Sequence, residues 1–241
     1  MKKLLAIICV LIIIFICVCI YREHSNKTQE VTADEAQRVQ DYISKIYMWK
    51  EVTDEALPKF ENINNAPDKW IWEVVKKNLE NSELTYNEIT QKATELFGNQ
   101  FTKQFPKEGT EYMQYNKDLD EYISTGMGLD SLDDSFLVKN ITKTKEGYQV
   151  EIAEYLVDYS NSIDALNADE ANSESEDETL AAYDIYIKNL NEDTIATISS
   201  TEISGGDTKI IEKVKENIDK FTTKKVNLVK ENEKIYIQSV E

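Results

Sequence analysis

Residues Tyr148 to Tyr159 read YQVEIAEYLVDY, and this stretch decides the fold. Apolar side chains fall at Val150 and Ile152, then at Tyr155, Val157 and Tyr159. Period-two alternation is the signature of a β-strand with one buried face. The change of phase inside the run predicts a bulge near Ala153 and Glu154, which would bend the sheet.

The neighbouring segments extend the same pattern. Phe136 to Lys143 is β-rich and joins this strand through the turn Lys145-Glu146-Gly147. Ala181, Tyr183, Ile185 and Ile187 alternate with polar residues, and Ile195 to Ile203 reads as their partner strand across Asn191-Glu192-Asp193. After Gly205-Gly206, Asp207 is placed to cap a helix carrying Ile210, Ile211, Val214, Ile218 and Phe221. The chain closes with KKVNLVKENEKIYIQSVE, a hairpin turning at Glu231 to Glu233.

Upstream the period becomes helical. Thr32-Ala33-Asp34-Glu35 is a capping box ahead of Ala36, Val39, Ile43, Ile46 and Tyr47 on one face. A loop spans Leu57 to Ala66, and Pro67 suits the first turn of a helix with the stripe Ile71, Val74, Val75 and Leu79. Thr85-Tyr86-Asn87-Glu88 is a second capping box, followed by Ile89, Ala93, Leu96 and Phe97 and stopped by Gly98. Helices first and strands afterwards predict an α+β fold, with the N-terminal helices packed on a bent, cone-like antiparallel sheet.

That order of elements, ending in the hairpin VNLVKENEKIYIQSV, resembles the nuclear transport factor 2-like (cystatin-like) superfamily over Asp34 to Glu241. The resemblance implies helices filling the concave side of a curved sheet. It implies no single activity, because the superfamily holds both enzymes and plain binding modules. The helix Asp207 to Phe221 and the long acidic insert before Ala181 depart from the pattern.

The N-terminus sets the expected compartment. Lys2 and Lys3 precede an unbroken apolar run from Leu4 to Ile20. A spanning helix needs about 17–25 such residues, and the basic pair favours a cytoplasmic N-terminus. Residues 1–22 are therefore expected to be a stub and a single transmembrane helix, 23–31 a tether, and 32–241 an extracytoplasmic domain. No Ala-x-Ala site follows the run, which favours a retained anchor over a cleaved signal peptide. Cys9, Cys17 and Cys19 all lie inside it, so the body has neither a disulfide nor a thiolate nucleophile.

The chain holds 27 basic and 45 acidic residues, a net charge of −18, which argues against nucleic-acid binding. His24, the only histidine, lies on the tether, so the body lacks a Ser–His–Asp triad and a histidine-rich zinc site. The segment 164–178, from Asp164 to Glu178, is acidic and serine-bearing and reads as a solvated loop; its sharper reading is a low-affinity calcium patch or a dock for a basic partner. Gly126-Met127-Gly128-Leu129-Asp130 with Ser131, Asp133 and Asp134 reads as a turn leading into the strand at Phe136. Its sharper reading is a cation held by the three carboxylates, and it is no phosphate loop, for it lacks the lysine and the helix start. Trp49, Trp70 and Trp72 with Tyr42, Tyr47 and Tyr86 read as core packing, with the lining of a pocket or a protein interface as the alternatives. Trp70 and Trp72 flank their stripe, so one of them is expected to be partly exposed. Glu151 and Glu154 lie in the deciding strand; the bulge is expected to return Glu154 to solvent, whereas on the wall of a concave pocket it would be an inward carboxylate with a raised pKa.

No catalytic set, cofactor motif or metal set emerges. The expected function is a membrane-anchored extracytoplasmic bacterial domain, non-catalytic, that binds a protein partner or a small apolar ligand. The alternatives are a structural subunit of an envelope secretion or conjugation assembly, and a carboxylate-only isomerase.

Overall fold

The computed structural model describes residues 30–79, 84–124, 132–161, 182–203 and 208–241. The apolar run, His24, the segment 164–178, the cap Asp207 and the Gly126 turn up to Ser131 lie outside them. Among the described residues no helix is long and apolar enough to cross a membrane.

The helices are α1 (Ala33–Ile46), a short α2 (Lys50–Thr53), α3 (Asp68–Lys77), α4 (Tyr86–Phe97) and α5 (Thr208–Glu216). The strands are β1 (Met113–Asn116), β2 (Glu121–Ser124), β3 (Leu132–Lys143), β4 (Gly147–Asp158), β5 (Asp184–Lys188), β6 (Thr194–Ser199), β7 (Thr222–Glu231) and β8 (Lys234–Val240). The fold is α+β and every strand pairing is antiparallel.

Both capping boxes form, Thr32 with Glu35 and Thr85 with Glu88. Pro67 takes the cap position of α3 and Asp68 its first turn. The buried stripe of α1 is Val39, Tyr42, Ile43 and Ile46. Its C-terminal carbonyls are covered from α3: Lys77 donates to the Ser44 and Tyr47 carbonyls (3.1 and 2.8 Å), and Asn78 to that of Lys45 (2.8 Å).

β4 is the spine of the sheet. β3 lines one of its edges, while the other takes β7 along Gly147 to Glu154 and then β5 along Leu156 to Asp158. The order is β6-β5-β4-β7-β8, with β3 on the free side of β4. The expected bulge at Ala153 and Glu154 is absent, since the pairing of β4 is continuous there. The extra residue is Lys139 on β3, between the pairs Val138–Ile152 and Asn140–Glu151. The change of phase has another cause: β4 serves two cores on opposite faces. Tyr148, Val150 and Ile152 join the helical core with Val226, Leu228 and Ile237. Ala153, Tyr155 and Val157 face the other way, into a second core with Ile185, Ile187, Ile198 and the α5 residues Ile210 and Val214.

Other expectations need smaller corrections. The strand expected to run to Ile203 ends at Ser199 and gives way to a 3-10 turn, Ser200–Glu202. The helix expected to reach Phe221 stops at Glu216, before a 3-10 turn at Ile218–Lys220. Trp70 and Trp72 are both buried, against Phe60 and Phe97 and against Phe105 and Tyr122 respectively. The exposed tryptophan is Trp49. The β1–β2 hairpin is an element that the sequence reading left out.

Glu35 ties the start of α1 to the β3–β4 hairpin. It caps Thr32, pairs with Lys143 at 2.9 Å and accepts from the Tyr148 hydroxyl at 3.1 Å. The Thr32 backbone N–H and the Lys143 ammonium bring its pKa from 4.5 down to about 2. A lowered carboxylate pKa contributes stability that is full above the unfolded value and is lost as pH falls through the folded one. The window is therefore pH 4.5 to about 2. Glu35→Gln is expected to flatten the acid limb of a stability–pH curve in that window, and an unchanged limb would refute this tie.

Candidate functional site

α1 and β8 frame an open groove of about 300 Å³, lined by Arg38, Asp41, Tyr42 and Lys45 of α1, Glu95 and Leu96 of α4, and Glu233 to Tyr236. Positions 38, 41, 42 and 45 follow helical spacing, so one stripe of α1 makes a whole wall. The opposite wall begins at the β7–β8 turn, where Asn232 (φ 46°) and Glu233 (φ 72°) both adopt positive φ, the geometry that matches hairpin twist.

Tyr42 is the keystone at the inner end. Its hydroxyl donates to the Leu96 carbonyl at 2.9 Å and accepts from the Ile237 N–H at 2.8 Å, joining α1, α4 and β8. Burial pushes this phenol well above its ordinary pKa, so it remains a neutral donor at physiological pH. Gly98 ends α4 at φ 78°, and a β-carbon there would stand 2.9 Å from the Tyr236 ring. Gly98→Ala is therefore expected to cost about 1–3 kcal/mol from backbone strain and to push Tyr236 out of the groove wall. Chemical denaturation together with Tyr236 accessibility would check both, and wild-type behaviour in each would refute the assignment.

The charges of the groove are unevenly engaged. Glu233 pairs with Arg38 (3.5 Å) and Lys230 (3.4 Å), Glu95 pairs with Lys92 (3.0 Å), and Asp41 accepts from Gln37 (2.8 Å). Lys45 and Lys234 have no anionic partner among the described residues.

Glu154, the carboxylate singled out in the deciding strand, is inward and only 1% exposed. Lys224 of β7 lies on the same face, one step along the ladder, with Nζ 3.1 Å from Glu154 Oε2. Lys224 donates to the Leu57 carbonyl at 2.6 Å and lies 3.4 Å from Glu55. Burial raises the Glu154 pKa, and Lys224 and the Tyr47 hydroxyl oppose the rise. A raised carboxyl pKa costs stability as pH rises through the folded value, the opposite sense to Glu35. The partner Glu151 lies half-buried on the other face, opposite Lys225. Neither the groove nor the small hollow beside Trp72, Phe101 and Met113 (about 20 Å³) is lined by Glu154. That hollow has room for about one water.

Trp70, Trp72, Tyr42 and Tyr47 are core residues, while Tyr86 is partly buried beneath Lys107, whose Nζ sits 4.1 Å from its ring centre. Among the described residues no cluster of His, Cys, Asp and Glu is arranged to hold a metal ion. The sequence reading named Tyr42 but none of Arg38, Lys45, Lys234 or Tyr236 as groove residues. Their surface charge looks like ordinary solvation until the α1–β8 contact is known. No family model, no curated protein and no solved structure matches this chain.

Proposed function

We propose that this chain is a non-catalytic binding module, held on the outer side of a bacterial cell membrane by its apolar N-terminal segment, and that its ligand or partner docks in the α1–β8 groove. The observation that carries the reading is the groove itself. The helical face of the sheet is filled by side chains of α1, α3 and α4, which leaves this open cleft as the larger of the two described hollows. It also opens at the tether end of the body. Arg38, on its wall, lies one helical turn beyond Glu35 and thus next to the start of α1. Only residues 21–31 separate the apolar run from Thr32, a reach of at most ~40 Å. A partner standing close to the bilayer is then within reach of the groove. The nuclear transport factor 2-like resemblance belongs to the same proposal, and the groove argument does not depend on it.

The test is photo-crosslinking of the full chain in intact cells. A benzophenone amino acid replaces Glu95 on the groove wall or, as control, Lys225 on the opposite sheet face. A discrete mass-shifted adduct from position 95, absent at 225, is the expected result. Equal adducts from both positions, or none at 95, would overturn the proposal.

A further inference from the structure

Resting on that reading, we infer that the groove takes an extended polypeptide segment bearing a carboxylate, which pairs with the outer edge of β8 at Ile235. The hydrogen-bond directions along the hairpin lead to this. Lys230 N–H bonds to the Glu146 carbonyl on the β4 side, so Lys230 does not bond to its opposite number, Ile235. Antiparallel pairs alternate between bonded and non-bonded. Val229–Tyr236 and Glu231–Lys234 are then the bonded pairs, and the N–H and C=O of Ile235 and Ile237 point outward.

The fold covers this outer edge almost everywhere. At Ile237 the N–H goes to the Tyr42 hydroxyl and the carbonyl accepts from Gln100 at 3.0 Å. Val240 exchanges backbone bonds with Phe60 at 2.8 and 3.1 Å. Ile235 has no such cover among the described residues, and it lies on the groove wall. An uncovered edge that offers one donor and one acceptor is a template for another strand.

The charges select the occupant. Glu95 and Glu233 are held in ion pairs and Asp41 accepts from the neutral Gln37 amide, whereas the ammonium groups of Lys45 and Lys234 have no anionic partner among the described residues. Two uncommitted ammonium groups against one carboxylate without an ion pair leave the wall a surplus of positive charge, on a chain whose net charge is −18. An acidic side chain or a terminal carboxylate beside the docked strand would meet both lysines. Tyr42 closes the inner end at Ile237, so one residue of the guest pairs with Ile235 and the remainder leaves past the β7–β8 turn.

The experiment uses the full chain in detergent micelles against a synthetic array of random hexapeptides with free carboxyl termini. The array is screened in parallel with the charge-reversed chain Lys45→Glu/Lys234→Glu. Both positions are solvent-exposed, and a matching melting curve would establish that this variant folds. The expected result is a set of acidic peptides whose affinity falls at least tenfold on the reversed chain. An N-methyl scan of the best peptide should lose at least tenfold at one residue and little at its two neighbours. The inference is overturned if no array peptide discriminates the two chains, or if no single N-methyl position matters. Groove adducts that prove to be non-peptide also overturn it, and the binding-module reading then stands. Absence of any groove adduct ends both.

Discussion

Replacing Lys224 by Met is expected to destabilise the protein by about 3–5 kcal/mol at neutral pH, the cost of leaving one member of a buried ion pair without its partner. Lys224 and Glu154 are 5% and 1% exposed, so water cannot take the place of the lost ammonium. Removing the cation also leaves burial, the largest cause of the raised Glu154 pKa, less opposed. The loss should therefore shrink as pH falls and Glu154 becomes protonated. The double variant Lys224→Met/Glu154→Gln should recover most of the stability, because it removes both charges together. Urea unfolding of the three chains at neutral and acidic pH is the measurement. A single variant with no pH-dependent loss, or a double variant no better than the single, would contradict the pairing.

Tyr42→Phe is the second large effect. The ring still fills its place beside Ile43 and Ile46, but the Leu96 carbonyl and the Ile237 N–H both lose their partner inside the protein. Each buried polar group left unpaired costs about 1–3 kcal/mol. The damage should also be local. The Ile237 amide is expected to lose hydrogen-exchange protection more than the bonded positions Val229 and Tyr236. Uniform loss across the hairpin, or none, would show that Tyr42 does not secure this edge.

Much of the fold was legible from local chemistry. Both Thr-x-x-Glu boxes, the Gly98 stop and the Asn232-Glu233 turn rest on contacts between residues within four positions of one another, which the sequence displays directly. The reading of β4 failed at the next level. Alternation reports that a face is buried, but not which neighbour buries it, and a strand that passes between two cores imitates a bulge. Trp70 and Trp72 failed similarly. They flank the α3 stripe, and only the arrival of Phe60, Phe105 and Tyr122 from elsewhere in the chain encloses them.

The site was less legible than the fold. An inward Glu154 with a raised pKa was only the lesser reading of the sequence, because the expected bulge would have turned it to solvent; β4 has no bulge there, and the side chain stays inside. Its partner Lys224 is 70 positions away and was not foreseen. The groove was invisible for the same reason: its walls are brought together by Tyr42 reaching β8 across 195 positions.

The proposed role depends on the body standing outside the membrane. Labelling a single introduced thiol tests this directly, because every natural cysteine lies between Leu4 and Ile20. Lys145→Cys places that thiol on the exposed β3–β4 turn. With a membrane-impermeant maleimide added to intact cells, the account requires labelling as complete as in lysed cells. Labelling only after lysis would place the groove on the wrong side of the membrane and contradict the account.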